Sequence, residues 1–216
     1  MISAVVVDNG EPLLEKCLES LRDQTERVEI IVVGGDKTDY ELAKSLADEV
    51  YGPITTSIGD ARVYGILKAN GEVILSCDSD TIYLPNYAET AMRELQKRGF
   101  VRAGTILPHK PNPLGLWEIK YLYPIVPYEH TLAFRKSAFI SHGLHEIKFR
   151  LKREDLAVHL AWRGMLIPPI KEMVLRTRVP TKFVENCSKL IPSATIASLP
   201  ITAISSMLLA KTFLKL

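Results

Sequence analysis

The sequence predicts an α/β fold with a mostly parallel central sheet flanked by helices, on three observations. Short valine- and isoleucine-rich runs alternate with helical stripes through residues 1–99. The runs are apolar at nearly every position, as in strands covered on both faces. Each ends in a turn cluster: Asp8-Asn9-Gly10-Glu11-Pro12, Gly34-Gly35-Asp36 and Asp78-Ser79-Asp80. Repeated strand–helix–strand units of this kind build parallel sheets through right-handed crossovers.

The elements follow in order. Ile2–Val7 is the first strand, and Leu13, Leu14, Cys17, Leu18 and Leu21 recur at helical spacing behind it. Glu29–Val33 is the second strand, followed by the stripe Leu42, Ala43, Leu46, Ala47 and Val50. Residues 51–58 hold a short strand or loop. Residues 59–69 read as a helix closed by Asn70-Gly71. Val73–Cys77 is a third buried strand. Tyr87, Ala88, Ala91, Met92 and Leu95 mark a helix that Gly99 ends. Phe100–Leu107 is a further strand.

Residues 108–130 carry Pro108, Pro111, Pro113, Pro124 and Pro127, with Trp117, Tyr121 and Tyr123. This stretch reads as irregular, aromatic and partly mobile. Leu156, Ala157, Leu160 and Ala161 mark a short helix, and residues 165–178 two short strands around Pro168-Pro169. The expected organisation is one domain over residues 1–180 and an apolar helical tail over 181–216.

Composition bounds the function. The chain has 216 residues, 47% hydrophobic and 24% charged, enough for a full core. A net charge of +2 without like-charge blocks argues against a nucleic-acid partner. Cys17, Cys77 and Cys187 are odd in number and widely spaced, so they read as free thiols in a reducing, cytoplasmic setting. The opening apolar run has no basic segment before it and stops at Asp8, unlike a signal peptide.

The chemistry sits after the strands. In open sheets, ligands bind at the edge where the strands end. Asp8, Asp36, Asp78 and Asp80 all fall there. Asp78 and Asp80 are hard oxygen ligands suited to Mn²⁺ or Mg²⁺, which also bind phosphate oxygens. Such an ion neutralises charge on a departing diphosphate. A bare D-x-D is equally a polar turn after a strand. Glu154-Asp155 has the alternative reading of acidic charge at a helix N-terminus. Lys152 and Arg153 read as diphosphate contacts or as a solvated face. Trp117, Tyr121 and Tyr123 read as sugar-stacking rings or core props. His142 and His145 are not read as a zinc site. His159 packs or faces the site.

Longer stretches carry a resemblance. Gly59-Asp60-Ala61-Arg62-Val63-Tyr64-Gly65-Ile66, Ala69-Asn70-Gly71-Glu72 and Cys77-Asp78-Ser79-Asp80 resemble family 2 glycosyltransferases of the GT-A fold. So do the opening, with Asn9, Glu11 and Leu14–Leu21, the segment Phe134-Arg135-Lys136-Ser137-Ala138, and Glu154-Asp155-Leu156. The match runs in order over about residues 1–170. It implies a GT-A-like domain that moves a sugar from a UDP- or GDP-sugar to an acceptor hydroxyl or lipid phosphate, with inversion. Asp80 would hold the metal, with Asp78 touching the ribose or the ion. Arg62 would lie near the nucleotide or diphosphate. Asp155 would be the general base, with Glu154 beside it for positioning. Asp8, Asn9, Glu11 and Asp36 would complete the donor site. The family's aspartate pair after the second strand is replaced by Gly34-Gly35-Asp36, with Asp39 matching a later family aspartate.

The stretch 190–210 is free of charge and diluted by prolines, serines and threonines. It reads as a contact with a membrane surface or a partner rather than a full span. A lipid-linked acceptor at the cytoplasmic face of a membrane would suit it. Two other readings compete. A nucleotidyltransferase would want a glycine-rich basic loop where Asp8-Asn9-Gly10-Glu11 is acidic. A non-catalytic nucleotide-sugar-binding or membrane scaffold protein would show no donor turnover.

Overall fold

The computed structural model describes residues 1–121, 128–152, 154–165 and 167–178. Eight strands form one mixed sheet. They are β1 (Ile2–Asp8), β2 (Val28–Gly34), β3 (Glu49–Tyr51), β4 (Val73–Asp78), β5 (Thr81–Tyr83), β6 (Phe100–Pro108), β7 (Leu132–Arg135) and β8 (Pro169–Thr177). Their order is β3-β2-β1-β4-β7-β6-β8-β5. The pairs β1–β2, β1–β4, β2–β3 and β6–β8 are parallel, whereas β4–β7, β6–β7 and β5–β8 are antiparallel.

The helices are α1 (Leu14–Arg22), α2 (Tyr40–Leu46), α3 (Ile58–Lys68), α4 (Tyr87–Leu95), α5 (Pro113–Tyr121), α6 (Lys136–Ser141) and α7 (Leu156–Trp162). The period-two geometry of strands divides the core between two faces. Ala4 and Val6 of β1, with Ile30 and Val32 of β2, join α1 and α4 in one cluster. Val5, Ile31 and Val33 point the other way, towards α3, α6 and α7. This explains why the valine runs show no alternation: both faces are covered. On α1, Leu14, Cys17, Leu18 and Leu21 are all buried, the stripe their spacing predicts.

Gly65 allows α3 to lie close to the sheet. A Cβ there would meet the side chains of Val5 and Val33. That close approach places the buried face of α3, including Arg62, directly over the end of β4.

Two expectations are corrected. Residues 113–121 form α5 rather than irregular chain. Pro113 starts the helix, where a missing N–H costs little, and the Asn112 side chain accepts from Gly115 N at 2.8 Å. The prolines thus mark a helix start as well as loops. Second, one strand, β8, replaces the two expected around Pro168-Pro169. Pro169 is its first residue, a position proline tolerates. Residues 122–127, Arg153 and the tail from 179 onward, including Tyr123, Cys187 and the stretch 190–210, lie outside the described residues.

Candidate functional site

The site is organised by a buried cation. Arg62 on α3 is fully buried. Its Nε donates to Asp155 Oδ1 and Oδ2 at 2.9 and 3.1 Å. Nη1 donates to Ser76 Oγ and Cys77 O, both at 3.0 Å. Nη2 donates to Asp78 Oδ1 at 2.6 Å and Asp155 Oδ2 at 2.8 Å. Every N–H group of the guanidinium therefore has an acceptor. A buried charge is tolerated only when paired and hydrogen-bonded in this way.

Local structure sets this geometry. Ser57 caps α3 by accepting from Asp60 N at 2.9 Å. Ile58 N and Gly59 N donate to Lys152 O and Glu154 O at 3.0 Å each. The start of α3 is thus bound to the segment leading into α7. Glu154 stiffens that segment. It accepts from Arg150 N at 2.6 Å and Leu151 N at 3.1 Å, and contacts His159 Nε2 at 2.8 Å. Burial opposes its charge, but these bonds outweigh that and lower its pKa. Glu154 shapes the loop that carries Asp155. His159 also stands edge-on to Phe149, with ring centroids 5.2 Å apart.

The carboxylates divide electrostatically. Burial disfavours charge on Asp78, yet Arg62 and the hydrogen bond with His130 prevail and hold it well below the usual range. Burial pushes Asp155 up, against the pull of Arg62, and the Asp78 charge adds to the rise. Burial and then Asp78 also raise Asp80. One arginine is thus shared among several acids.

Two residues that sequence reasoning missed belong to this network. A 3₁₀ turn spans Glu129–Thr131. Glu129 accepts from Ala157 N at the start of α7. Burial and the Asp155 charge push its carboxyl up to about 8. His130 Nδ1 lies 3.4 Å from Asp78 Oδ2. The only sequence signal was an acid–histidine pair before an apolar run, which any loop can show.

The loop residues form a rim. Asp8 is buried and closes its own turn, accepting from Gly10 N at 2.9 Å and Glu11 N at 3.1 Å. Asn9 Oδ1 accepts from Lys37 N at 3.3 Å, joining this turn to the loop after β2. Asp36 is exposed on that loop, while Asp39 caps α2 by accepting from Leu42 N at 3.0 Å. Glu11 Oε1 meets Arg178 Nη2 at 3.0 Å, and Asp80 Oδ2 lies 3.5 Å from Arg178 Nε. The structure thus joins Arg62, Asp78 and Asp155 directly. It links Glu11 with Asp80 through Arg178 and leaves Asp36 on the outer rim. A cavity of about 450 Å³, lined by Arg22, Gln24, Arg27, Val28, Ile30 and Asp48, lies instead where β2 begins, away from these acids.

Among the described residues, no three histidine, cysteine or acidic side chains form a ready metal-ligand cluster. Asp80 nonetheless suits a divalent ion. Among the described residues, its Oδ1 accepts from Thr81 at 3.2 Å and its Oδ2 has the long contact with Arg178. Magnesium-type sites commonly use one or two carboxylates and take other ligands from substrate phosphates. Asp78 is more committed, between Arg62 and His130.

An α/β sheet with an acidic centre where its strands end has its candidate ligand site at that edge. The chain belongs to glycosyl transferase family 2, whose model matches residues 4–156. It is 36% identical over 97 residues to the "Putative glycosyltransferase EpsH" of Bacillus subtilis (strain 168), covering 41% of this chain and 28% of that one. Its fold is similar to mannosyltransferase PcManGT from Pyrobaculum calidifontis, in complex with GDP-Man and Mn²⁺. The TM-score is 0.62 at 17% identity, over 86% of this chain and 59% of that one. S. aureus TarS matches with a TM-score of 0.55 at 17% identity, over 92% of this chain and 40% of TarS. The chain therefore spans less than two thirds of the length of each of these relatives.

Proposed function

We propose that this chain is an inverting, metal-dependent glycosyltransferase acting on a nucleotide-sugar. The observation that carries the reading is the convergence of Asp78 and Asp155 on Arg62 at the edge of the sheet. Support also comes from family membership and from similar folds described with GDP-Man and Mn²⁺ and with UDP-GlcNAc.

Asp155 accepts the proton of the acceptor hydroxyl. Its raised pKa suits a base, because a more basic carboxylate takes a proton more readily. Arg62 and Leu156 N hold its orientation. Asp78 stays ionised and faces the ribose or the ion. Asp80 would hold a Mn²⁺ or Mg²⁺, which would supply charge neutralisation for the departing nucleoside diphosphate. Asp8, Asn9, Glu11 and Asp36 line the donor side. Displacement opposite the leaving diphosphate inverts the anomeric carbon. The acceptor is a sugar hydroxyl or a lipid-linked phosphate, met at the cytoplasmic face of a membrane that residues 190–210 touch. Among the described residues, no helix is long and apolar enough to cross a membrane.

A thermal-shift screen of UDP-, GDP- and TDP-sugars with and without Mn²⁺ tests this, because a ligand that binds only the native state raises Tm. A shift with one nucleotide class that needs Mn²⁺ and is lost in Asp80→Ala supports the reading. Binding without any turnover of the donor favours a non-catalytic binding protein.

A further inference from the structure

We propose that Arg178 is a diphosphate-binding residue of the donor site, exchanged between the Asp80 carboxylate and the donor's phosphates by the divalent ion. This rests on the donor reading above. Arg178 directly follows β8, the strand paired with β5 immediately beyond Asp80. Its guanidinium spans two chain segments, meeting Glu11 at 3.0 Å and Asp80 at 3.5 Å. The pairing sets a guanidinium against a carboxylate that stands two residues from a second acid, Asp78.

Arg178 also differs from Arg62 in the property that matters for exchange. Its side chain is 56% exposed, whereas that of Arg62 is 0% exposed. The buried guanidinium is fixed by six contacts to five acceptor atoms. The exposed one has a 3.0 Å bond to Glu11 and a longer contact, 3.5 Å, to Asp80. A divalent ion and a guanidinium compete for one carboxylate, and the ion's higher charge density favours it at a hard oxygen. An ion held by Asp80 would also bind diphosphate oxygens. These are the nearest anions to a guanidinium displaced from Asp80, and the planar fork suits phosphate geometry. Glu11 retains the other end, so the side chain swings rather than leaves.

The test is calorimetric binding of UDP and GDP, with UMP and GMP as controls, to the full chain and to Arg178→Ala and Arg178→Lys. In Mn²⁺, Arg178→Ala is expected to weaken binding of the preferred diphosphate by about ten- to a hundredfold, the range for a charged hydrogen bond. Arg178→Lys, which keeps charge without the fork, falls between. Binding of the matching monophosphate stays within about twofold, which also shows an intact fold. Mn²⁺ alone, followed by its free spin-resonance signal, binds Arg178→Ala more tightly than the parent chain. Diphosphate affinity unchanged in Arg178→Ala, or monophosphate affinity lost equally, overturns the assignment. A parent chain that binds neither diphosphate overturns the donor reading itself.

Discussion

Asp78 and Asp155, far apart in the sequence, accept hydrogen bonds from a single nitrogen, Nη2 of Arg62, at 2.6 and 2.8 Å. The end of β4 and the start of α7 are therefore joined through one buried charge. This relationship ties the two elements into one site.

Replacing Arg62 by methionine leaves buried carboxylates without their cation. Breaking a buried pair on one side typically costs about 3–5 kcal/mol. Urea denaturation of Arg62→Met should show a loss of that size. Adding Asp155→Asn removes one uncompensated charge, so the double variant should recover part of it. Equal losses in both would mean that Arg62 acts through packing alone.

Glu129 gives a pH signature. Its carboxyl is raised from the usual 4.5 to about 8 in the folded chain. The native state thus holds this proton more tightly than the unfolded chain does. Its favourable contribution is complete below about pH 4.5 and is lost as pH rises through about 8. Glu129→Gln keeps an acceptor for Ala157 N and cannot ionise. Melting curves should show Glu129→Gln gaining on the parent between pH 5 and pH 9, by about 2–4 °C for each kcal/mol relieved. A constant difference across that range would remove Glu129 from the charge network.

Asp80 has the opposite balance of stability and function. Neutralising it in Asp80→Asn relieves repulsion with Asp78, so Tm without ligands should stay level or rise. The same variant should lose Mn²⁺-dependent nucleotide binding. A clear fall in Tm would show that Asp80 is a structural acid.

Gly65→Ala tests the seat of α3. The added methyl would press on Val5 and Val33. Overpacking of this kind typically costs about 1–3 kcal/mol. Because α3 carries Arg62, donor turnover should fall along with stability. A neutral effect on both would show that the helix can shift without moving Arg62.

Much of this was legible in the sequence, for physical reasons. Strands buried on both faces need continuous apolar runs, and Val5–Val7 and Ile30–Val33 have them. The acids that end those strands fall on one edge by topology alone. Other features were hidden. β5 and β7 are three and four residues long, too short for periodicity. Pro113 reads as a breaker but begins a helix. The resemblance put Arg62 near the nucleotide or diphosphate but did not show its burial or its bonds to Asp155 and Asp78. Burial of a charge depends on partners from other segments, and single-sequence spacing does not reveal them. Glu129, His130 and Arg178 were missed on the same ground.

The most direct measurement is the rate of sugar transfer and the affinity for donor in Asp155→Asn, once the donor is identified. The geometry predicts transfer slowed by about two to four powers of ten, the usual scale for a lost general base, with donor affinity nearly unchanged. Full transfer by Asp155→Asn would contradict the account, because no proton acceptor would then be needed where Asp155 stands.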